Sequence, residues 1–243
     1  MNIKKIILDN IKTLLGALII AILLRSLVIQ PFYIPSSSME PTLLVGDRIF
    51  VTKFSYGYSK HSFPFSPNFS NNRFFTKSPQ QGDLVVFKTP SDNRTDYIKR
   101  LIGLPGDEIQ FIDGKLFING KEVPRKLTQV MEPIRCGKFI SDNQTFIETL
   151  PNGVEHLTTY NNVGTLKNTK LYKVPKDHYF LMGDNRDCSK DSRFLNDVGY
   201  VKTLNLVGKA KIIFFSNDTY KGSLLKIWNL NKSFRLSRTF KKL

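Results

Sequence analysis

Residues 97–120 read YIKRLIGLPGDEIQFIDGKLFING, and three short β-rich runs alternate in them with turn residues. The runs are Tyr97–Ile102, Glu108–Phe111 and Lys115–Ile118. Asp113-Gly114 and Asn119-Gly120 are dipeptides that favour two-residue hairpin turns, because both positions of such a turn need positive φ. Pro105-Gly106-Asp107 is a third turn signal. The stretch therefore predicts antiparallel strands joined by tight turns.

Runs of the same kind continue on both sides of this stretch. They are Arg48–Val51, Leu84–Phe87 and Lys211–Phe215, and glycine-containing turns precede the first two. Helical periodicity is hard to find past Gln30. We therefore predict a mainly β protein of twisted antiparallel sheets, with its core in residues 30–126 and 171–220 and an inserted β-ribbon lobe in residues 127–170. Residues 59–78 are rich in Ser, Pro, Asn and Phe and are expected to form a long loop.

The N-terminal segment is apolar enough to cross a membrane. Thr13–Leu24 is uncharged, and the span reaches Ile29 if the Arg25 side chain extends toward the lipid headgroups. We therefore predict a transmembrane anchor over residues 13–29. A cleaved signal peptide is an alternative, although the small-x-small pair Ser36 and Ser38 lies too far beyond the apolar run. A buried helix is the third alternative, and its weakness is the absence of a polar face.

Basic residues are unevenly distributed around this segment. Three lysines precede it, whereas no basic residue lies between Arg25 and Arg48. The positive-inside rule therefore predicts that residues 1–12 are cytoplasmic and that the remainder lies across the membrane.

The chain is strongly basic, with a formal net charge of +16 over 243 residues. This favours a polyanionic partner, either anionic lipid or nucleic acid. Residues 221–243 contain basic residues and no acid, and they predict either a frayed tail or a basic amphipathic segment lying on anionic membrane lipid. The apolar residues interleaved there are Leu224, Leu225, Ile227, Trp228, Leu230 and Phe234.

Cysteine and histidine are scarce. Cys136 and Cys188 allow at most one disulfide, and the sequence leaves their pairing open. The three histidines, His61, His156 and His178, have no metal-ligand spacing, so no metal site is predicted.

Hydroxyl groups follow the predicted anchor in Ser36-Ser37-Ser38-Met39-Glu40-Pro41-Thr42-Leu43. A serine hydroxyl is a weak nucleophile unless a neighbour accepts its proton, and a lysine can do so when burial lowers its pKa. Lys99 suits this role, because in a strand Tyr97, Lys99 and Leu101 share one face while Ile98 and Arg100 share the other. Taken alone, Lys99 reads as an exposed lysine and the serines as a polar linker.

A third polar stretch, Gly183–Arg193, reads GDNRDCSKDSR. By itself it indicates an ordinary surface loop rich in turn formers. Within it, Asp191 and Arg193 could pair and brace the loop, and Ser189 could orient the lysine.

Together these stretches resemble the bacterial type I signal peptidase (leader peptidase) family of the serine/lysine class. Four motifs match in order between Arg25 and Phe215. They lie in residues 36–43, 82–87, 99–107 and 183–193. The resemblance implies a membrane-bound endopeptidase that removes signal peptides from secreted preproteins by cutting after small-x-small, Ala-x-Ala-like sites, without a cofactor. It places the enzyme in the bacterial inner membrane, with the catalytic domain on the periplasmic side and no nucleic-acid partner. A monomer is the default expectation.

The resemblance also implies a role for each matched residue. Ser38 is the expected nucleophile and Lys99 the general base, while Ser36 and the Ser38 amide form the oxyanion hole. Ser189 is expected to orient Lys99, with Asp191 and Arg193 in support. The residues that match the lining of the substrate pocket are Phe32, Ile34, Pro35, Met39, Leu43, Tyr97 and Ile98.

The chain departs from the family pattern at Ser37, where glycine is common, at Glu40, where many members are apolar, and at Cys188, which replaces a frequent asparagine. Cys136 and Cys188 do not match the family's occasional disulfide.

Three other interpretations stay open from the residues alone. A self-cleaving repressor-type Ser/Lys protease shares the chemistry, but the apolar N-terminus leaves no room for a helix-turn-helix. An inactive membrane-anchored β protein would bind anionic lipid or nucleic acid. A Ser/His/Asp hydrolase would use His178.

Overall fold

The computed structural model describes residues 3–68, 70–129, 133–140, 143–161, 166–220 and 233–243. Its first element is a long helix, α1 (Ile3–Leu23), which continues into a π-helical turn at Leu24–Val28. Within the described chain, Ile3–Val28 is the one helix long and apolar enough to cross a membrane, with a mean hydropathy of 2.1. None of the α1 side chains is buried, which is inconsistent with a core helix. The helix begins before the predicted residue 13, because Ile, Leu and Lys all tolerate helical backbone.

The remainder is mainly β, as predicted. The strands of the described chain are β1 (Ile29–Tyr33), β2 (Asp47–Thr52), β3 (Leu84–Lys88), β4 (Asp96–Gly103), β5 (Glu108–Ile112), β6 (Lys115–Ile118), β7 (Lys121–Glu122), β8 (Arg125–Thr128), β9 (Arg135–Cys136), β10 (Phe139–Ile140), β11 (Asn143–Thr149), β12 (Glu155–Asn161), β13 (Tyr172–Lys173), β14 (His178–Met182), β15 (Val201–Lys202), β16 (Leu206–Ser216) and β17 (Lys241–Lys242).

The largest sheet carries the elements that matter for the site. Its order is β1-β2-β16-β3-β4-β14-β15, with β17 also paired to β16, and all its ladders are antiparallel. Every strand predicted from an apolar run is present. The sequence prediction missed β1, since Pro31 argues against a strand interior; the strand lies at the sheet edge, where proline is tolerated. It also missed β14.

A second sheet of order β13-β5-β6-β7 contains the stretch from which the β fold was predicted. Asp113 and Gly114 have φ of 48° and 73°, and Asn119 and Gly120 have φ of 52° and 74°. Both dipeptides therefore form the expected hairpin turns, joining β5 to β6 and β6 to β7.

The predicted lobe contains a three-stranded sheet, β12-β11-β8, and the hairpin β9-β10. The sequence left open whether the two cysteines pair, and the structure shows that they do: Cys136 of β9 forms a disulfide with Cys188. The hairpin is thereby tied to the loop that follows β14.

Buried apolar side chains form three clusters around these sheets. One contains Ile34, Met39, Leu43, Ile49 and Val51, and it joins the segment after β1 to the large sheet. The conformation of residues 34–43 is therefore determined by apolar side chains that lie before and after the three serines in sequence.

The end of the chain packs on the large sheet instead of extending as a tail. The Arg238 guanidinium forms a buried ion pair with Asp47 at 2.6 Å, and β17 pairs with β16. For residues 233–243 the tail prediction is therefore wrong, because a buried carboxylate in β2 binds one of its cations. Phe234 lies in this docked segment, whereas Leu224, Leu225, Ile227, Trp228 and Leu230 lie outside the described residues.

Candidate active site

Ser38 lies in a single 3₁₀ turn, Ser37–Met39, just after β1. Met39 is fully buried in the core and holds one side of the turn. Asn185 holds the other side, since its backbone N–H donates to the Ser38 carbonyl at 3.2 Å and its Nδ2 donates to the Ser37 carbonyl at 3.0 Å. The Ser38 side chain is thus presented by a turn held from two directions.

Lys99 lies in β4, between β3 and β14, and only 4% of its surface is exposed. Its Nζ donates to Ser38 Oγ at 2.7 Å. Burial lowers the pKa of Lys99 to about 8, although Asp191 and Asp184 act in the opposite direction. The amine therefore loses its proton far more easily than an exposed lysine does.

Ser36 is the third hydroxyl of the group. Its Oγ lies 3.4 Å from Ser38 Oγ, and unlike Ser38 it is exposed. The Ser36 hydroxyl therefore faces the same space as the Ser38 hydroxyl.

The loop after β14 packs behind Lys99. Arg193 pairs with Asp191 through two hydrogen bonds of 2.8 Å, as expected, and the Gly183 N–H donates to the same carboxylate at 3.0 Å. Burial would raise the pKa of Asp191, but the Arg193 guanidinium lowers it below its usual range. This buried carboxylate is thus held ionised near Lys99.

Ser189 is buried in the same loop, and no hydrogen bond joins it to Lys99. Its Oγ is close enough to Asp191 to lower the pKa of that carboxyl, yet it makes no hydrogen bond of normal geometry with a described residue. A Cβ added at Gly183 would collide with the Ser189 side chain and lie 2.5 Å from the Ser38 carbonyl oxygen. Gly183 is therefore the point where this loop meets the 3₁₀ turn that carries Ser38.

A second buried ion pair, missed by the sequence reasoning, joins the opposite face of β4 to this loop. Arg100 binds Asp184 through two hydrogen bonds of 2.8 and 2.7 Å, and the Thr42 hydroxyl donates to the same carboxylate at 2.5 Å. Strand alternation did point Arg100 away from Lys99, and an aspartate in the polar Gly183–Arg193 stretch was the available signal for its partner.

The hairpin β9-β10 contacts the turn that carries Ser38 from the side of the lobe. Arg135 donates its backbone N–H to Glu40 at 2.7 Å, and Gly137 donates to Ser37 Oγ at 3.0 Å. Burial raises the pKa of Glu40 to about 7. Glu40 and Ser37, two departures from the family pattern, are thus the residues that contact the hairpin, and the Cys136–Cys188 disulfide links it to the residue before Ser189.

An open cleft of about 390 Å³ lies in front of Ser38 and Lys99. Six of the seven predicted pocket residues line it, namely Phe32, Ile34, Pro35, Met39, Tyr97 and Ile98. Leu43 does not, because it is fully buried in the core below Met39, so its assignment to the lining is wrong. Lining residues that sequence reasoning missed are Tyr33, Ile49, Val86, Thr95, Asp96, Cys188 and Lys190.

The histidines are placed elsewhere. His178 starts β14, and its Nδ1 lies 2.8 Å from the Lys176 carbonyl, away from the cleft. His156 is buried against Glu148 and Arg186. A Ser/His/Asp site that uses His178 is therefore inconsistent with the geometry. Among the described residues no group of three or more His, Cys, Asp or Glu side chains is arranged to hold a metal.

Comparison with known proteins identifies the family to which the chain belongs. The family described as "Signal peptidase, peptidase S26" matches residues 7–215. The signal peptidase I of Rickettsia typhi (strain ATCC VR-144 / Wilmington) is 42% identical over 246 residues, covering 92% of this chain and 89% of the relative. That of Rickettsia bellii (strain OSU 85-389) is 36% identical over 260 residues, covering 100% of this chain and 88% of the relative. A solved signal peptidase I from Enterococcus faecalis V583 is 29% identical, with a TM-score of 0.33 and coverage of 55% of this chain and 97% of that one.

The family match and the two curated relatives define the class as a serine peptidase. Within that class the chain belongs to the signal peptidase family, peptidase S26. Its activity is accordingly the removal of signal peptides.

Proposed function

We propose that the chain cleaves secreted preproteins after small-x-small sites by a Ser38/Lys99 dyad, at the outer face of the bacterial inner membrane. The observation that carries this proposal is the 2.7 Å separation of Ser38 Oγ and Lys99 Nζ in a largely apolar cleft.

In the first half of the reaction, neutral Lys99 accepts the hydroxyl proton while Ser38 Oγ forms a bond to the scissile carbonyl carbon. The carbonyl electron pair moves to its oxygen, where Ser36 Oγ–H and the Ser38 N–H donate hydrogen bonds. Removal of one such donor typically slows catalysis by about 100- to 1000-fold. The C–N bond then breaks, and the proton held by Lys99 passes to the leaving amine.

In the second half, Lys99 takes a proton from water as the water oxygen attacks the acyl-enzyme. Collapse of this intermediate breaks the bond to Ser38 Oγ, which regains the proton from Lys99. Asp191, Arg193 and Ser189 do not meet the substrate in this scheme. They belong to the buried loop behind Lys99, in which Asp191 holds a negative charge near the amine. Ser189 makes no hydrogen bond to Lys99, so it is given no direct role in orienting the amine.

The lining of the cleft supports the preference for small side chains. Phe32, Ile34, Met39 and Tyr97 present large apolar groups. Such walls exclude bulky side chains by steric overlap, which discriminates more strongly than a missing contact does.

The N-terminal helix supports attachment to the membrane in which preproteins emerge. Three lysines precede its apolar centre, and no basic residue lies between Arg25 and Arg48, so we assign the N-terminus to the cytoplasm and the β domain to the periplasmic side.

The test is cleavage of a preprotein with an Ala-x-Ala site by the full chain in detergent or lipid. Ser38→Ala and Lys99→Met are expected to abolish cleavage while circular dichroism stays unchanged. Lys53→Met is the matched control, since Lys53 is also buried, with a pKa that burial lowers to about 8, but it does not line the cleft. Full activity of Lys99→Met would exclude the dyad. An equal loss in Lys53→Met would mean that Lys99→Met acts through the fold alone.

A further inference from the structure

A second cavity, of about 600 Å³, opens where the N-terminal helix joins the β domain. Four cationic side chains line it: Arg25, Lys60, Lys88 and Arg94. Arg25 belongs to the helical turn that ends the candidate membrane span. The cavity shares Asp96 with the lining of the cleft at Ser38 but has none of the cleft's lysines in its own lining. It lies at the end of the apolar helix.

Carboxylates neutralise only part of this positive charge. Of the two acids in the lining, Asp96 pairs with Lys88 at 2.9 Å. Asp92 is used within its own loop, where it accepts hydrogen bonds from the Thr89 and Thr95 hydroxyls and from two backbone N–H groups.

The other three cations are left without acidic partners. Arg25, Lys60 and Arg94 make no ion pair with any described residue, and Lys60 donates only to the side-chain carbonyls of Asn68 and Asn71. The cavity thus carries a surplus of positive charge.

His61 adds an unpartnered ring nitrogen to the same wall. It is 4% exposed, its Nδ1 lies 3.0 Å from Ser66 Oγ, and its Nε2 has no hydrogen-bond partner among the described residues. Burial lowers the pKa of His61 to about 4, with Lys60 and Lys88 acting in the same direction, so the ring is neutral. In the tautomer whose Nδ1 accepts from the Ser66 hydroxyl, the Nε2–H group is left without an acceptor.

Lys53 is a buried lysine that is affected by the charges of this cavity. It is 1% exposed, and its side chain makes no hydrogen bond or ion pair with a described residue. Burial lowers its pKa to about 8, and Arg25 and Lys88 lower it further, against the opposing effect of Asp96. A bound anion would satisfy an unpartnered imidazole N–H and three cations without acidic partners, and it would favour the charged form of the buried lysine.

We propose that this cavity binds the phosphate-bearing headgroup of an anionic membrane lipid. A lipid is favoured over a free phosphate because Arg25 ends the apolar helix, which places the cavity at headgroup depth, and because Phe65 on its rim is fully exposed and available to contact acyl chains. The inference rests on the proposed insertion of that helix in the bilayer. It gives the enzyme a specific lipid contact that orients the β domain on the membrane.

The experiment titrates the detergent-solubilised full chain with phosphatidylglycerol and follows lipid binding by native mass spectrometry. The test variant is Lys60→Gln/Arg94→Gln, and the matched control is Lys121→Gln/Lys126→Gln, which removes the same charge from exposed positions on other sheets. We expect one tightly bound lipid in the wild type and in the control, and affinity weakened roughly tenfold or more in the test variant. Phosphatidylcholine should bind more weakly, and inorganic phosphate should not displace the lipid at equal concentration.

Equal weakening in both double variants would overturn the proposal, because binding would then depend on net charge alone. Unchanged affinity in Lys60→Gln/Arg94→Gln would do the same. Displacement of the lipid by equimolar inorganic phosphate would assign the cavity to a free anion and overturn the lipid assignment. Cleavage of a short soluble peptide in detergent is measured in parallel and should be equal in all three proteins. A failure of the wild type to cleave that peptide would count against the proposed peptidase mechanism, while the binding results would still decide the cavity.

Discussion

Lys99 Nζ lies 2.7 Å from Ser38 Oγ, although the two residues are 61 positions apart in the chain. The contact forms because β4 carries Lys99 to the floor of a cleft while a 3₁₀ turn, fixed by Met39 and Asn185, presents the hydroxyl from the opposite side. Burial gives the amine its low pKa, and the same burial costs stability whenever the amine is protonated.

The pH dependence of cleavage should follow Lys99. With its pKa lowered to about 8, roughly one tenth of the enzyme carries the neutral amine at pH 7. We expect kcat/KM for a peptide substrate to rise about tenfold from pH 7 to a plateau above pH 9, with its midpoint near 8. A midpoint near 6.5 would point to a histidine base and contradict the dyad.

Lys99→Met should stabilise the protein at neutral pH while abolishing activity. The folded-state pKa of about 8 lies below the unfolded value of about 10.5, so the unfolded state binds more protons between these values and stability rises with pH across that window. Below pH 8 the full penalty applies, about 3 kcal/mol at most. Urea unfolding of both proteins at pH 7 and pH 10.5 measures this, and the gain should shrink at the higher pH. A less stable variant at pH 7 would show that the attraction of Asp184 and Asp191 outweighs burial.

Gly183→Ala should disable the site. The added methyl group would overlap Ser189 and approach the Ser38 carbonyl to 2.5 Å, so the loop or the nucleophile turn has to move. A displacement near 1 Å can lower turnover by about 100-fold. Gly16→Ala is the control, because nothing lies within 4 Å of a Cβ there. Wild-type kcat in Gly183→Ala would mean that the contact between loop and turn is not required.

Reduction of the Cys136–Cys188 disulfide should lower activity. The bond ties the hairpin β9-β10 to the residue before Ser189, and Cys188 itself lines the cleft. We expect dithiothreitol to reduce kcat of the wild type roughly tenfold, through loss of positioning rather than unfolding. Cys136→Ser/Cys188→Ser should show the lowered rate without any reductant and no further response to it. A reductant effect in that double variant would show that the disulfide is not its target.

Arg238→Met should destabilise the β domain. It leaves the Asp47 carboxylate buried without its cation, and breaking a buried pair in this way typically costs about 3–5 kcal/mol. Thermal unfolding should therefore shift to lower temperature, whereas Lys241→Gln, an exposed change in the same segment, should leave it unchanged. Equal melting temperatures for Arg238→Met and wild type would indicate that the C-terminal segment is not anchored by this pair.

Local patterns in the chain were sufficient to predict much of the fold. Asp113-Gly114 and Asn119-Gly120 specify hairpins because their backbone preferences act within two residues, and the apolar runs around them appear as the expected strands. Local rules failed at β1, where Pro31 lies in an edge strand, and in residues 233–243, whose docking depends on a carboxylate nearly two hundred positions away.

For the site, too, the sequence predicted some features and missed others. The resemblance to the family indicated Ser38 and Lys99, and the polar stretch Gly183–Arg193 suggested the Asp191–Arg193 pair. They gave no indication that Leu43 belongs to the core rather than the cleft, since both environments accept a leucine. Strand alternation placed Arg100 on the face opposite Lys99, but it did not identify Asp184 as the partner, because that contact depends on the pairing of β4 with β14.

The sequence by itself thus determined the apolar helix, the β-rich domain and the candidate reacting groups, since each depends on residue type and on motifs of a few positions. Only the tertiary structure decided whether Lys99 is desolvated, which carboxylate pairs with Arg100, whether Cys136 meets Cys188, and that unpaired cations gather beside the end of the helix. These properties depend on burial and on distances between segments remote in the chain. Both arise from the packing of whole sheets, which local sequence does not encode.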